Sequence, residues 1–544
     1  MKCKVKKEIA LSLVLLLVVG MAGNVKGLGN SENGVFSVLS YGAVGNGSHD
    51  DTAGVQAAID AAASYGSDHY NSDTDTGHGT VYFPTGTYKI DNYIQLKSNV
   101  EIVLDDSATI VNGINKVGLP SIIFMSGPYI DNDHISVWAP IENVVFRGGT
   151  VDLNGKLNSA GTQCQNLPNI GSSGAFALTH SSNVRIEDVV FLDSYKGHVM
   201  QLCACDGVLV RGCSFKGQAI PSTLSDGYMI NLETIQIEPS TEGGFPYAPL
   251  NADGTASTNI VVESCYFGKS SLCGEPIVAI GTHNQVSYTE KCNHITVKNN
   301  VFDNMTYAGV RFCGYEDVVI KDNIFIKKDA AQSVNHRNAS FLINAYCYYK
   351  NNNDDTGLKD PNERIEIDGN SFTIFDPGTR AIRVAKDVDD SDPTGSVVDI
   401  TITNNTVVNA SVGSEDVGIN AQKIANNLIV SNNVVSGGYR GIEVKNCDGS
   451  ITMQSNVVSD TEYQQVRFIQ CGTNRNISFF THGPGTINVA TTQGRYYFTA
   501  VPNSGHQFIA YFTENALANQ LTPNPSLDYA YNRPDSISRH PLFE

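Results

Sequence analysis

A short phrase recurs down the chain and constrains its architecture more than any other feature: two polar residues, the second often Asn, followed by an apolar pair. It reads Asn299-Asn300-Val301-Phe302, Asp322-Asn323-Ile324-Phe325 and Gly369-Asn370-Ser371-Phe372. It continues as Asn404-Asn405-Thr406-Val407, Asn432-Asn433-Val434-Val435 and Ser455-Asn456-Val457-Val458. Upstream, Gly212-Cys213-Ser214-Phe215 and Ser264-Cys265-Tyr266-Phe267 place Cys in the Asn position. Repetition at this scale means stacked units that share one continuous core. The shortest steps, Phe302 to Phe325 and Val435 to Val458, are 23 residues. That length fits three short strands and three turns, one coil of a parallel β-helix. Longer steps imply loops inserted into particular coils, where such folds build their working surface.

The expectation is an all-β parallel solenoid with a helix-containing cap and a small C-terminal β unit. Residues 1–27 read as a secretory signal: Lys2, Lys4, Lys6 and Lys7 precede an apolar run from Ile9 to Gly20 and the small pair Ala22-Gly23. No later segment is long and apolar enough to span a membrane. Residues 36–110 read as the cap, with a strand over Phe36–Tyr41, a helix over Thr52–Ala63 and a strand over Thr80–Phe83. The solenoid is expected to occupy 36–471, an antiparallel β unit 472–515, and a loose tail 516–544. Twelve Cys are present. Their spacing is no zinc pattern, and they are expected to be small buried residues; a Cys213–Cys265 bridge between adjacent coils is the alternative.

Formal net charge is −19. That opposes nucleic-acid binding, which needs a basic footprint. A local basic strip for an anionic sugar polymer remains compatible with it.

Tyr41-Gly42-Ala43-Val44-Gly45-Asn46-Gly47, then Asp50-Asp51-Thr52, and Gly79-Thr80-Val81-Tyr82-Phe83-Pro84 resemble the entry motif of the pectate-lyase-like superfamily. The resemblance implies a right-handed parallel β-helix and a polysaccharide ligand. That superfamily holds polygalacturonases and other glycoside hydrolases, polysaccharide lyases and phage tailspikes. The chain departs from its enzymes. The Asn-Thr-Asp, Asp-Asp, Gly-His-Gly and Arg-Ile-Lys series of polygalacturonases is not found in order, nor are the signatures of pectate lyases.

Apolar-x-apolar strands recur at Phe176–Leu178, Met200–Leu202, Ile235–Ile237, Val278–Ile280, Val310–Phe312, Phe341–Ile343, Ile382–Val384, Val417–Ile419, Ile442–Val444 and Val466–Phe468. Alternation turns the residues between them outward. One outward column then reads Thr179, Gln201, Gln236, Ala279, Arg311, Leu342, Arg383, Gly418, Glu443 and Arg467. The next holds Cys203, Glu238, Gly281, Cys313, Asn344, Ala385, Asn420 and Lys445. Hydrolysis of a glycosidic bond needs a carboxylic acid and a second carboxylate. Glu238 is the first candidate, with Asp226 or Glu233 as partner. Gln201, Gln236, His198, His283, Arg311, Tyr346, Arg383 and Lys386 are candidate substrate-binding residues, with Phe245 and Tyr247 as stacking surface. The leading reading is a secreted or cell-surface glycoside hydrolase without a cofactor; the alternatives are a lyase assisted by Ca²⁺, for which the acidic loops 354–360 and 387–392 are candidates, and a non-catalytic glycan-binding surface protein. Oligomeric state is left open.

Overall fold

The computed structural model describes residues 33–127, 140–225, 231–240, 253–282, 290–328, 340–347, 362–386 and, with short gaps, 397–512. The segment read as a signal, and the tail after Phe512, lie outside the described residues.

Coils from Gly79–Phe83 to Arg440–Lys445 have three strands each; beyond them the first two run together, as in Ser450–Ser459. In one such coil they are Asn293–Lys298, Val301–Asp303 and Ala308–Phe312. Every strand pairs in parallel with its equivalent in the next coil; for instance Phe302 lies opposite Phe325 and Ile280 opposite Val310. The third strands form one 14-stranded sheet from Ile94–Gln95 to Gln507–Phe512. The helix Thr52–His69 buries Val55, Ala58, Ile59 and Ala62 against the first coils, closing that end of the core.

The polar doublet of the repeat is the turn between first and second strands. Its leading residue is left-handed: φ is 56° at Asn299, 54° at Asp322, 67° at Gly369 and 57° at Asn432. Asn, Asp and Gly tolerate that conformation best. The second residue turns inward. The Asn300 amide nitrogen donates to Asn323 Oδ1 (3.0 Å), Asn323 to Asn370 (2.9 Å), Asn370 to Asn405 (3.0 Å), Asn405 to Asn433 (3.0 Å) and Asn433 to Asn456 (3.0 Å). Beside this ladder the apolar position stacks. Successive ring centroids from Phe191 through Phe215, Phe267, Phe302, Phe325 and Phe372 are 5.0, 4.8, 5.1, 4.6 and 4.8 Å apart.

From Glu142–Arg147 to Val434–Gly437 this first turn is two residues in every coil, whereas three separate Leu104 from Ala108 in an earlier one. Both turns bordering the third strand vary: the chain runs from Ala219 to Glu233 before one third strand and from Glu238 to Thr258 after it, but only from Gly437 to Arg440 in a later coil.

Two expectations change. The strands Arg475–His482, Thr486–Thr491, Phe498–Thr499 and Gln507–Phe512 pair in parallel with preceding coils and extend the stack, so no antiparallel unit forms there. Residues 38–41 form a 3-10 turn rather than the end of a strand, with Gly42 left-handed at its close. Cys213 and Cys265 do not bridge each other; their thiols donate to the carbonyls of Ile186 and Val210.

Candidate functional site

The outer face of the 14-stranded sheet carries the polar column. Its register is Gln201, Gln236, Gly281, Arg311, Asn344, Arg383, Asn420, Glu443 and Arg467. Strict alternation misplaces Ala279, Leu342 and Gly418. The strands bend just before this column, so Ala279 and Ile280, and likewise Leu342 and Ile343, enter the core as consecutive residues. Cys203 lies opposite Glu238 as expected, while Gly281, Asn344 and Asn420 move to the first column and Thr179, opposite Cys203, moves to the second.

At the upper end Gln201 donates to Gln236 Oε1 (2.9 Å) and Gln236 donates to Glu238 Oε2 (3.1 Å). Glu238 is 3% exposed, and its Oε1 has no hydrogen-bond partner among the described residues. Burial, and after it the nearby Glu233 carboxylate, push Glu238 well above the usual carboxylate range. Between the ordinary carboxylate range and that raised value the fold keeps a proton that the unfolded chain releases, so this residue erodes stability as pH rises through that window. Glu238→Gln is expected to melt about 1–3 °C above the parent at pH 7 and together with it at pH 4. Equal melting at both pH values would mean that Glu238 is ionised in the fold.

Glu233 is fully buried and sits on the outer face, because the same bend carries it there; it lies opposite Val278 and not in the core. Arg311 Nη2 stands 3.3 Å from Glu233 Oε1, and the His198 ring donates through Nδ1 to the Glu233 carbonyl (2.7 Å). The Arg311 guanidinium also packs over Tyr307 at 5.9 Å, and Arg383 over Phe341 at 4.9 Å. The structure thus brings Gln201, Gln236 and Glu238 together, and joins Glu233 to Arg311 and His198. Asp226, His283, Phe245, Tyr247 and both acidic loops fall outside the described residues, as do the side chains of Tyr346 and Lys386, whose backbones lie on this sheet. Among the described residues no group of three or more His, Cys, Asp or Glu is placed to hold a metal ion.

At the lower end Glu443 is 4% exposed and collects Arg467 (2.7 Å), Lys445 (2.8 Å), Arg440 (3.7 Å) and the Asn420 amide (3.0 Å). Burial pushes this carboxyl up, but Lys445 and Arg467 outweigh it and hold it below its ordinary value. Beside this cluster Tyr439 and Tyr463 stack with centroids 5.0 Å apart. Sequence reasoning missed that pair. The signal was a Tyr at one place in two coils, each immediately before a third strand.

A three-strand parallel coil, an inward Asn ladder and a polar third sheet define the class: the chain belongs to the pectate-lyase-like superfamily of right-handed parallel β-helices. Residues 35–268 match the family model described as rhamnogalacturonase A/epimerase, pectate lyase-like. The chain is 44% identical over 466 residues to plasmin and fibronectin-binding protein A of Streptococcus pneumoniae (strain ATCC BAA-255 / R6), a match covering 86% of this chain and 62% of that relative's length. The crystal structure of PfbA, a surface adhesin of that organism, superposes with a TM-score of 0.73 at 45% identity, over 79% of this chain and 91% of that one. A tailspike protein of E. coli bacteriophage HK620, solved with a pentasaccharide, shares the fold at 14% identity and a TM-score of 0.53, over 90% of this chain and 80% of that one.

Proposed function

We propose that this protein is a surface-displayed binding protein that holds a carbohydrate ligand along the outer face of its third sheet, without cleaving it. The observation that carries the reading is the state of the three described carboxylates on that face. Glu233, Glu238 and Glu443 are all nearly inaccessible, and each faces a cation or an amide. An acid and base that act on a glycosidic bond must reach it. The surface placement draws support from the likeness to a streptococcal adhesin named for binding plasmin and fibronectin.

A hydrolase is the second reading, favoured by one feature: a protonated Glu238 near an Arg-paired Glu233 has the protonation states of an acid and its partner. One experiment separates the readings. The protein is incubated with a panel of labelled polysaccharides, and binding, reducing ends and unsaturated products are read together. Binding with no product release is expected. Turnover that falls at least about 100-fold in Glu238→Gln would overturn the binding reading in favour of hydrolysis. Unsaturated products lost on chelation would overturn it in favour of a lyase.

A further inference from the structure

We propose that Cys164 and Cys273 are an oxidisable pair, whose disulfide staples two corner loops together across the coils between them. The proposal is independent of what the third sheet binds. Cys164 lies in the loop 153–171, before the third strand Ser172–Thr179, and Cys273 in the loop 269–277, before the third strand Val278–Gly281. Two other third strands, Met200–Cys203 and Glu233–Glu238, separate those two in the sheet. The loops are therefore rooted three strand spacings apart, about 14 Å. They meet nonetheless. Both hold Asp193: Gly155 N–H donates to its carbonyl (2.8 Å), and the Ser270 hydroxyl donates to its carboxylate. Cys164 is 1% exposed and packs in a cluster with Tyr195 and Ala219 of the intervening coils, and Cys273 packs against that same cluster. The backbone beside Cys273 is fixed there, because the Gly274 carbonyl accepts from Gln218 N–H (2.9 Å), next to Ala219.

The two thiols differ in what they offer. Cys273 is half-buried, so a reagent reaches it, while Cys164 is sealed beneath. Burial, and after it the Asp193 carboxylate, push the Cys273 thiol up, and burial does the same to Cys164. Both therefore rest as thiols, and their exchange is slow, as suits a structural cross-link. With a low-molecular-weight disulfide as oxidant, the Cys273 sulfur loses its proton and attacks one reagent sulfur. The reagent's S–S bond breaks and one reagent thiol leaves. The Cys164 sulfur gives up its own proton and displaces the second reagent thiol from Cys273. One protein S–S bond replaces two S–H bonds, and the reagent, reduced to two thiols, carries off both protons. The residues joined lie 109 apart in sequence, so the cross-link restricts the unfolded chain strongly. It also spans the corners that lead into the strands carrying Gln201 and Gln236.

The test incubates the native full chain, reduced beforehand, with oxidised glutathione at mildly alkaline pH. Remaining thiols are alkylated and the digest is mapped by mass spectrometry. Peptides joined through Cys164 and Cys273 are expected as the main cross-link. The oxidised protein should melt about 3–6 °C above the reduced one, and dithiothreitol should reverse the gain. Cys164→Ala should leave Cys273 carrying glutathione, with no melting gain on oxidation. Cys273→Ser should give neither the cross-link nor the gain. A parent in which Cys273 carries only glutathione, stays unmodified or joins a different cysteine overturns the proposal. So does a cross-link without a melting gain, or a gain that survives in Cys273→Ser.

Discussion

Phe302→Ala should destabilise the protein by about 3–5 kcal/mol, the range for emptying a large aromatic site in a packed core. The ring is 1% exposed and stacks on Phe267 at 5.1 Å and Phe325 at 4.6 Å. Its neighbours belong to adjacent coils tied by strand pairing, so the void has little freedom to collapse. The measurement is thermal unfolding by circular dichroism together with limited proteolysis. Phe375→Ala is the control, because that ring is 54% exposed and its loss should shift stability within about 0.5 kcal/mol. If both variants melt alike, the phenylalanine stack is not what holds successive coils together.

Asn370→Ala should cost about 2–4 kcal/mol, by breaking hydrogen bonds rather than by lost volume. Its amide nitrogen donates to the Ile320 carbonyl (2.9 Å), the Asp368 carbonyl (3.2 Å) and Asn405 Oδ1 (3.0 Å). Its oxygen accepts from the Asn323 backbone N–H (3.0 Å) and side chain (2.9 Å). Removing the side chain leaves the Asn323 backbone donor unpaired at a site where water does not reach. Proteolytic cleavage near the altered coil, ahead of global melting, is the expected signature, since stacked repeats couple mainly to their neighbours. A variant that melts within about 1 °C of the parent would sink the idea that the ladder is cooperative.

Much of the scaffold was legible in the sequence because one doublet meets two demands at once. Its first residue must accept a left-handed backbone and its second must satisfy buried carbonyls, and few residue types do either. The strands Ile235–Ile237, Ile382–Val384 and Ile442–Val444 were legible from their inward pairs for the same reason. The outward columns were less so. Alternation fails where the third strand bends, and nothing local to Leu342 or Ala279 marks the bend, because an apolar residue suits either side of it. Glu233 was read as a candidate although it shares parity with Ile235, and it faces Arg311 outside the core. Tyr439 and Tyr463 lie 24 residues apart, and only the coil-to-coil register shows that they touch.

The corner with a fixed two-residue turn and the corners with variable ones divide the labour of each coil. Where length is held at two residues, a mutation must respect both backbone conformation and the amide chain. Where length is free, whole segments can be gained, lost or exchanged between related genes without disturbing the stack. A lineage carrying this scaffold can therefore change what its variable corners present, while the spine that folds it is kept.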